Sequence, residues 1–168
     1  MHIVTDRLII RDFCISDLND LHEILGDSET MKYCEPAYSF EQTHKFLQEF
    51  CIAKNGAFAV VHKDSQKVIG YILLNALETS VYEIGWIFNK NYWHQGYAYE
   101  ACSNIISYTF ENLNISKIVA ETIDKQKSIG LMEKLGMRLA EVQKDATKDI
   151  CGNVVDMYVY EITASNRR

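Results

Sequence analysis

Two small residues, Gly96 and Ala98, stand among four aromatic rings in the stretch NYWHQGYAYEA at 91 to 101. The strand-like run VYEIGWIF at 81 to 88 precedes them, and a helical pattern starts directly behind Gly96. The first N–H groups of a helix have no intrahelical acceptor, so such an end attracts anions. Glycine there lets the backbone approach a phosphate closely, and it tolerates the positive φ at which successive N–H groups converge. Ala98 keeps the next approach unobstructed. The chemistry this spacing suggests is the holding of a phosphate, but it suits equally a plain turn at Gly96 with Ala98 packed on a sheet. A lone G-x-A does not separate the two.

Composition narrows the alternatives. The chain has 168 residues, 48% hydrophobic and 24% charged, as expected for one soluble globular domain over 1–168. The longest apolar stretch, VIGYILLNAL at 68 to 77, is shorter than the roughly 20 residues a bilayer span needs. The opening MHIVTDRLIIRDF is too interrupted by charge to read as a signal peptide. Five scattered cysteines without C-x-x-C, and five histidines without H-x-x-x-H, indicate neither a disulfide framework nor a metal site. Reduced thiols and a cytoplasmic location are therefore expected. A net charge of −6 disfavours nucleic acid, which needs basic surface, and suits a small cationic partner. Monomer and homodimer both remain open.

The elements that would position Gly96 follow from periodicity. RLIIRDF at 7 to 13 reads as a strand, and Ser16 reads as the N-cap of a helix whose Leu18, Leu21, Ile24 and Leu25 recur at three- and four-residue steps up to Gly26. Ser39 and Gln42 form a capping-box pattern for a second helix ending at Asn55-Gly56. Three strand-like runs follow at 57 to 62, 67 to 77 and 81 to 88. A helix from Gly96 to about Asn112, a strand at 117 to 123, a helix capped by Ser128 and stopped by Gly136, and two final strands complete the chain. The order β-α-α-β-β-β-α-β-α-β-β predicts a mixed α/β fold with helices packed on a central sheet.

At this point a resemblance emerges. EIGWIFNKNYWHQGYAYEA is similar to the acyl-coenzyme A segment of the GNAT N-acetyltransferase superfamily, in particular its ribosomal-protein N-terminal acetyltransferase-like branch. The second half of the family pattern Gln/Arg-x-x-Gly-x-Gly/Ala is met by Gly96-Tyr97-Ala98, with Trp93 at the usual Gln/Arg position. The opening TDRLIIRDF resembles the branch's Thr-x-Arg-Leu-x-Leu-Arg start, SIGLMEKLGM at 128 to 137 its Glu-Lys-Leu-Gly segment, and Gly152 ahead of Asp156-Met157-Tyr158 its closing strand. The resemblance implies a GNAT-type mixed, mostly antiparallel sheet of about seven strands, with acetyl-CoA as cosubstrate and no metal. It implies transfer to a primary amine, whether a protein N-terminus, a polyamine or an aminoglycoside-like small molecule. A noncatalytic acyl-CoA-binding module is the alternative.

Carried over position by position, the resemblance places pantetheine along Trp86, Ile87 and Phe88, and the pyrophosphate at His94, Gln95, Gly96, Tyr97, Ala98 and Tyr99, with Trp93 and His94 either beside the cofactor or packing. A lysine-type amine has a pKa near ~10.4 and must lose a proton before it attacks. Glu83 alternates onto the face of Gly85 and Ile87 toward the implied cleft, which makes it the candidate base; a surface carboxylate is the plainer reading. Ser128 occupies the serine that in the family lies near the sulfur, as acid, as helix cap, or as both. Lys125 replaces the family's asparagine and offers a cation to a phosphate, while Met132 replaces a tyrosine that often serves as acid. Cys102 falls on the core face of its helix, so direct attack by the amine is expected rather than an acetyl-enzyme; Cys34 lies in the segment expected to border the acceptor.

Overall fold

The computed structural model describes residues 1–166. Eight strands form one sheet: β1 (His2–Val4), β2 (Leu8–Asp12), β3 (Ala57–His62), β4 (Val68–Glu78), β5 (Val81–Phe88), β6 (Lys117–Thr122), β7 (Arg138–Lys148) and β8 (Val154–Thr163). Their order is β1-β2-β3-β4-β5-β6-β8-β7, and every neighbouring pair is antiparallel except β5 with β6. The helices are α1 (Leu18–Leu25), α2 (Phe40–Phe46), α3 (Tyr97–Asn112) and α4 (Lys127–Lys134). The expected mixed, mostly antiparallel sheet is present, with one strand beyond the seven anticipated. That strand is β1, whose three residues are too few to show a period.

Helices cover both faces of the sheet, which is why β3 reads AFAVVH without polar alternation. Phe58 and Val60 face one way, into a core with Ala101, Cys102, Ile105 and Ile106 of α3 and Met132 of α4. Ala57, Ala59 and Val61 face the other way, against Leu21, Ile24 and Leu25 of α1 and Leu47 and Cys51 beyond α2. Gly70 of β4 has a packing reason: a Cβ there would lie 2.5 Å from the Phe88 ring, so its absence seats the end of β5.

The Ser39–Gln42 capping box forms as expected, with Gln42 N–H donating to Ser39 Oγ at 3.2 Å and Ser39 N–H donating to Gln42 Oε1 at 2.7 Å. Ser16 and Ser128, however, are not caps. A 3-10 turn, Ile15–Asp17, precedes α1, and the Asp17 carboxylate accepts the Cys14 N–H at 2.9 Å while Arg11 donates to both its oxygens at 2.8 Å. At α4 the Asp124 carboxylate accepts the N–H groups of Gln126, Lys127 and Ser128 at 2.9, 3.2 and 3.2 Å. At α4 the Asp124 carboxylate thus fills the cap role expected of Ser128, whereas Ser16 lies inside the 3-10 turn and no side chain caps the start of α1. Among the described residues no helix is long and apolar enough to cross a membrane.

Candidate active site

β5 and β6 part company, and that parting creates the site. Their parallel pairing covers Val81↔Lys117, Tyr82↔Ile118 and Glu83↔Val119, and then stops. β5 runs on to Phe88, still paired with β4 through Ile84↔Leu74 and Phe88↔Gly70. From residue 84 onward the β6-facing edge of β5 has no strand partner, so its main-chain groups face a cleft of about 730 Å³. Trp86, Ile87 and Phe88 line that cleft. Trp93 lines it too, its indole N–H donating to the Phe88 carbonyl at 2.7 Å.

The unpaired edge leads to the start of α3. Gly96 holds φ +83°, a conformation that costs a residue with a side chain roughly 1–2 kcal/mol, and His94 also has positive φ, +59°. No side chain caps the first N–H groups of this 16-residue helix. Those amides therefore point at whatever occupies the cleft, which Trp93, His94, Gly96, Tyr97, Ala98 and Tyr99 line. Gln95 does not line it; its side-chain amide donates to the Asn91 carbonyl at 3.1 Å.

Tyr92, Trp93, Tyr97 and Tyr99 all line the cleft and differ in what else they touch. Tyr97 is 8% exposed; its hydroxyl lies 3.1 Å from His62 Nε2, and its ring meets Tyr92 edge-on at 6.0 Å. These two brace the loop from the core side. Trp93 and Tyr99 instead meet cations from the opposite wall: Lys127 Nζ lies 3.8 Å from the Trp93 ring centroid, and Lys134 Nζ 4.8 Å from that of Tyr99. Both lysines line the cleft. Lys125 does not; it sits 5.4 Å above Tyr158.

Comparison with known proteins decides the family. Residues 7–138 match the family model described as an acetyltransferase (GNAT) domain. The chain belongs to the GNAT acetyltransferase family. It is 36% identical over 141 residues to an uncharacterized N-acetyltransferase, YnaD, of Bacillus subtilis strain 168, covering 82% of this chain and 83% of that one. A GNAT-family acetyltransferase crystal structure from Bacillus anthracis superposes with a TM-score of 0.90 at 31% identity, covering 97% and 98% of the two chains. Spermidine N-acetyltransferase from Vibrio cholerae, solved in complex with CoA and spermine, shares the fold at a TM-score of 0.81, 22% identity and 95% and 97% coverage.

The remaining GNAT site candidates fall at two places. Glu83 is half-buried on β5 at the last paired position before the strands part, opposite Asn75 and Val119, and is not among the cleft-lining residues. Burial and the neighbouring Glu121 carboxylate push its pKa above the ordinary glutamate value, against a hydrogen bond from Asn75 that lowers it. Ser128 lines the cleft in the first turn of α4, its Oγ 3.4 Å from Asp124 Oδ2. Cys102 is fully buried, and burial drives its thiol far up. Cys34 lines the cleft; although the residue is exposed overall, desolvation by the atoms around its sulfur, then Glu35 and Asp124, raise its pKa and keep it a thiol.

Periodicity did not expose Asp124, Lys127 or Lys134 as parts of the site. An acidic residue four positions before Ser128, between a strand and a helix, was the available signal for the first. For the lysines only the position of α4 across the cleft shows where their ammonium groups go.

Proposed function

We propose that the chain is an acetyl-CoA-dependent N-acetyltransferase of the ribosomal-protein N-terminal acetyltransferase-like branch, acting on a primary amine of a peptide or small molecule by direct attack within a ternary complex. The observation that carries this reading is the unpaired edge of β5 leading straight to the uncapped N-terminus of α3 at Gly96. The edge offers main-chain groups to the amides of pantetheine, and the helix start offers N–H donors to a pyrophosphate. Lys127 and Lys134 supply cationic charge on the facing wall. Such a set of donors fits coenzyme A.

Bound acetyl-CoA supplies a thioester: the amine nitrogen bonds to the acyl carbon, the carbon–sulfur bond breaks, and sulfur leaves with its electron pair. This chain must then do two things. It takes a proton from the amine, a task for Glu83, whose raised pKa brings it nearer neutrality and which stands at the strand split on the sheet face of Ile87. It also gives a hydrogen bond or proton to the departing sulfur. Ser128 suits this because its 3.4 Å contact with Asp124 is long enough to exchange for a better acceptor in the cleft. Cys102, buried against α3's core partners, takes no part.

The test is a thiol-release assay with acetyl-CoA across peptides, polyamines and aminoglycosides. Amine-dependent release of free thiol is expected with at least one class. Coenzyme A binding without release from any amine would make the protein a noncatalytic acyl-CoA sensor instead.

A further inference from the structure

The loop at Gly96 is held from outside itself. Glu100, in the first turn of α3, accepts three hydrogen bonds: Thr5 Oγ1–H at 2.6 Å and the Arg7 backbone N–H at 2.8 Å, both to Oε1, and Arg7 Nε–H at 2.7 Å to Oε2. The same guanidinium donates from Nη1 to the Gln95 carbonyl at 2.9 Å. It also lies 4.3 Å from the Tyr97 ring centroid, and its Nη2 would meet a Cβ at Gly96 at 3.4 Å. One side chain from the β1–β2 connection thus touches or borders Gln95, Gly96, Tyr97 and Glu100. Tyr97 is fixed from its other end by His62.

Two consequences follow from charge and geometry. The Gln95 carbonyl is drawn outward to Arg7, which sets the peptide plane between Gln95 and Gly96 and hence the direction of the Gly96 N–H. A bare carboxylate in the first turn would compete with a bound phosphate for the positive end of α3 and repel it. Burial pushes Glu100 up, yet the bonds from Thr5 and Arg7 outweigh burial and hold its carboxyl below the usual range, so it stays ionised and needs the guanidinium beside it.

We infer that Arg7 is the positioning residue of the phosphate loop: it aims the Gly96 amide and neutralises Glu100, so that an anionic pyrophosphate can take the helix start. This rests on the acetyl-CoA reading above and deepens it. Neither Arg7 nor Glu100 is placed among the groups that touch the cofactor.

The experiment is calorimetric titration of the full chain with coenzyme A and, by competition, with pantetheine, which lacks the pyrophosphate. Arg7→Gln is expected to weaken coenzyme A binding by about tenfold or more, the loss of roughly one good charge interaction, and to leave pantetheine affinity within twofold of wild type. Arg7→Gln/Glu100→Gln is expected to bind coenzyme A better than Arg7→Gln alone, because the uncompensated carboxylate is gone. A residue that merely held the fold would weaken both ligands together and would show no recovery in the double variant; either result overturns the clamp. If Arg7→Gln does not fold, Arg7→Lys tests the aiming alone, since a lysine keeps the charge beside Glu100 but cannot bridge Glu100 and Gln95 together: coenzyme A binding is expected to weaken with pantetheine affinity unchanged, and unchanged coenzyme A affinity or an equal loss of both ligands overturns the clamp. Wild-type protein that fails to bind coenzyme A would overturn the acetyl-CoA reading itself, and unchanged affinity in Arg7→Gln would overturn the clamp alone.

Discussion

In the proposed mechanism Glu83 and Ser128 divide the proton chemistry between two neighbourhoods with different costs. Burial and Glu121 raise the Glu83 pKa, so its charge at neutral pH opposes folding: any stability it contributes is present below the ordinary carboxylate pKa and lost as pH rises through the raised value. Glu83→Gln should therefore reduce turnover more than coenzyme A affinity, recover partly at high pH where the amine deprotonates unaided, and leave the melting temperature at pH 7 equal or higher. A loss of turnover that tracks a loss of stability would remove Glu83 as the base. For Ser128 the helix-cap role is already filled by Asp124. Ser128→Ala should then lower turnover with little change in melting temperature, while Asp124→Ala should cost about 1 kcal/mol or more of stability through the lost cap. Equal destabilisation by the two variants would return Ser128 to a structural role.

At the scale of elements, the proposed site rests on the strand-to-helix handover from β5 to α3. Gly96→Val puts a β-branched side chain at φ +83° and presses it toward Arg7 Nη2, so it should weaken coenzyme A binding in titration while the sheet, read by circular dichroism, persists. Coenzyme A affinity equal to wild type would move the phosphate site elsewhere. Much of this handover was legible in the sequence. β3 and β5 match the predicted runs residue for residue, β3 because burial on both faces leaves its apolar run continuous and β5 because β-branched and aromatic residues fill it, and Gly96 marks the start of α3. What was not legible is long-range or competitive. Arg7 and Glu100 are 93 positions apart, and no periodicity links them. Ser16 and Ser128 carry the cap residue type, but Asp124 takes the N–H groups at the start of α4, and a 3-10 turn carries Ser16 into α1 without a side-chain cap. The parting of β5 from β6 leaves no mark in either strand, since it arises from where their pairing ends.

For the whole molecule, the carboxylates that tie the chain ends of elements to the sheet set its behaviour in acid. Burial pushes Asp17 up, but its hydrogen bonds from Arg11 and Cys14 outweigh burial and hold it below its ordinary value; Glu100 is lowered in the same sense by Thr5 and Arg7. A carboxyl with a depressed folded pKa stabilises above the unfolded value and loses that contribution as pH falls through the folded one. Stability should thus fall below about pH 4. Arg11→Gln, which leaves Asp17 buried without its cation, should cost about 3 kcal/mol at neutral pH and move the acid-unfolding midpoint upward. An unchanged midpoint would deny the pair its role. Coenzyme A along the free edge of β5 and against the start of α3 is the placement that the proposed function requires. Amide hydrogen exchange with and without coenzyme A tests it directly: protection concentrated at residues 84 to 88 and 96 to 99 is expected, and protection elsewhere, or none at saturating coenzyme A, would contradict it.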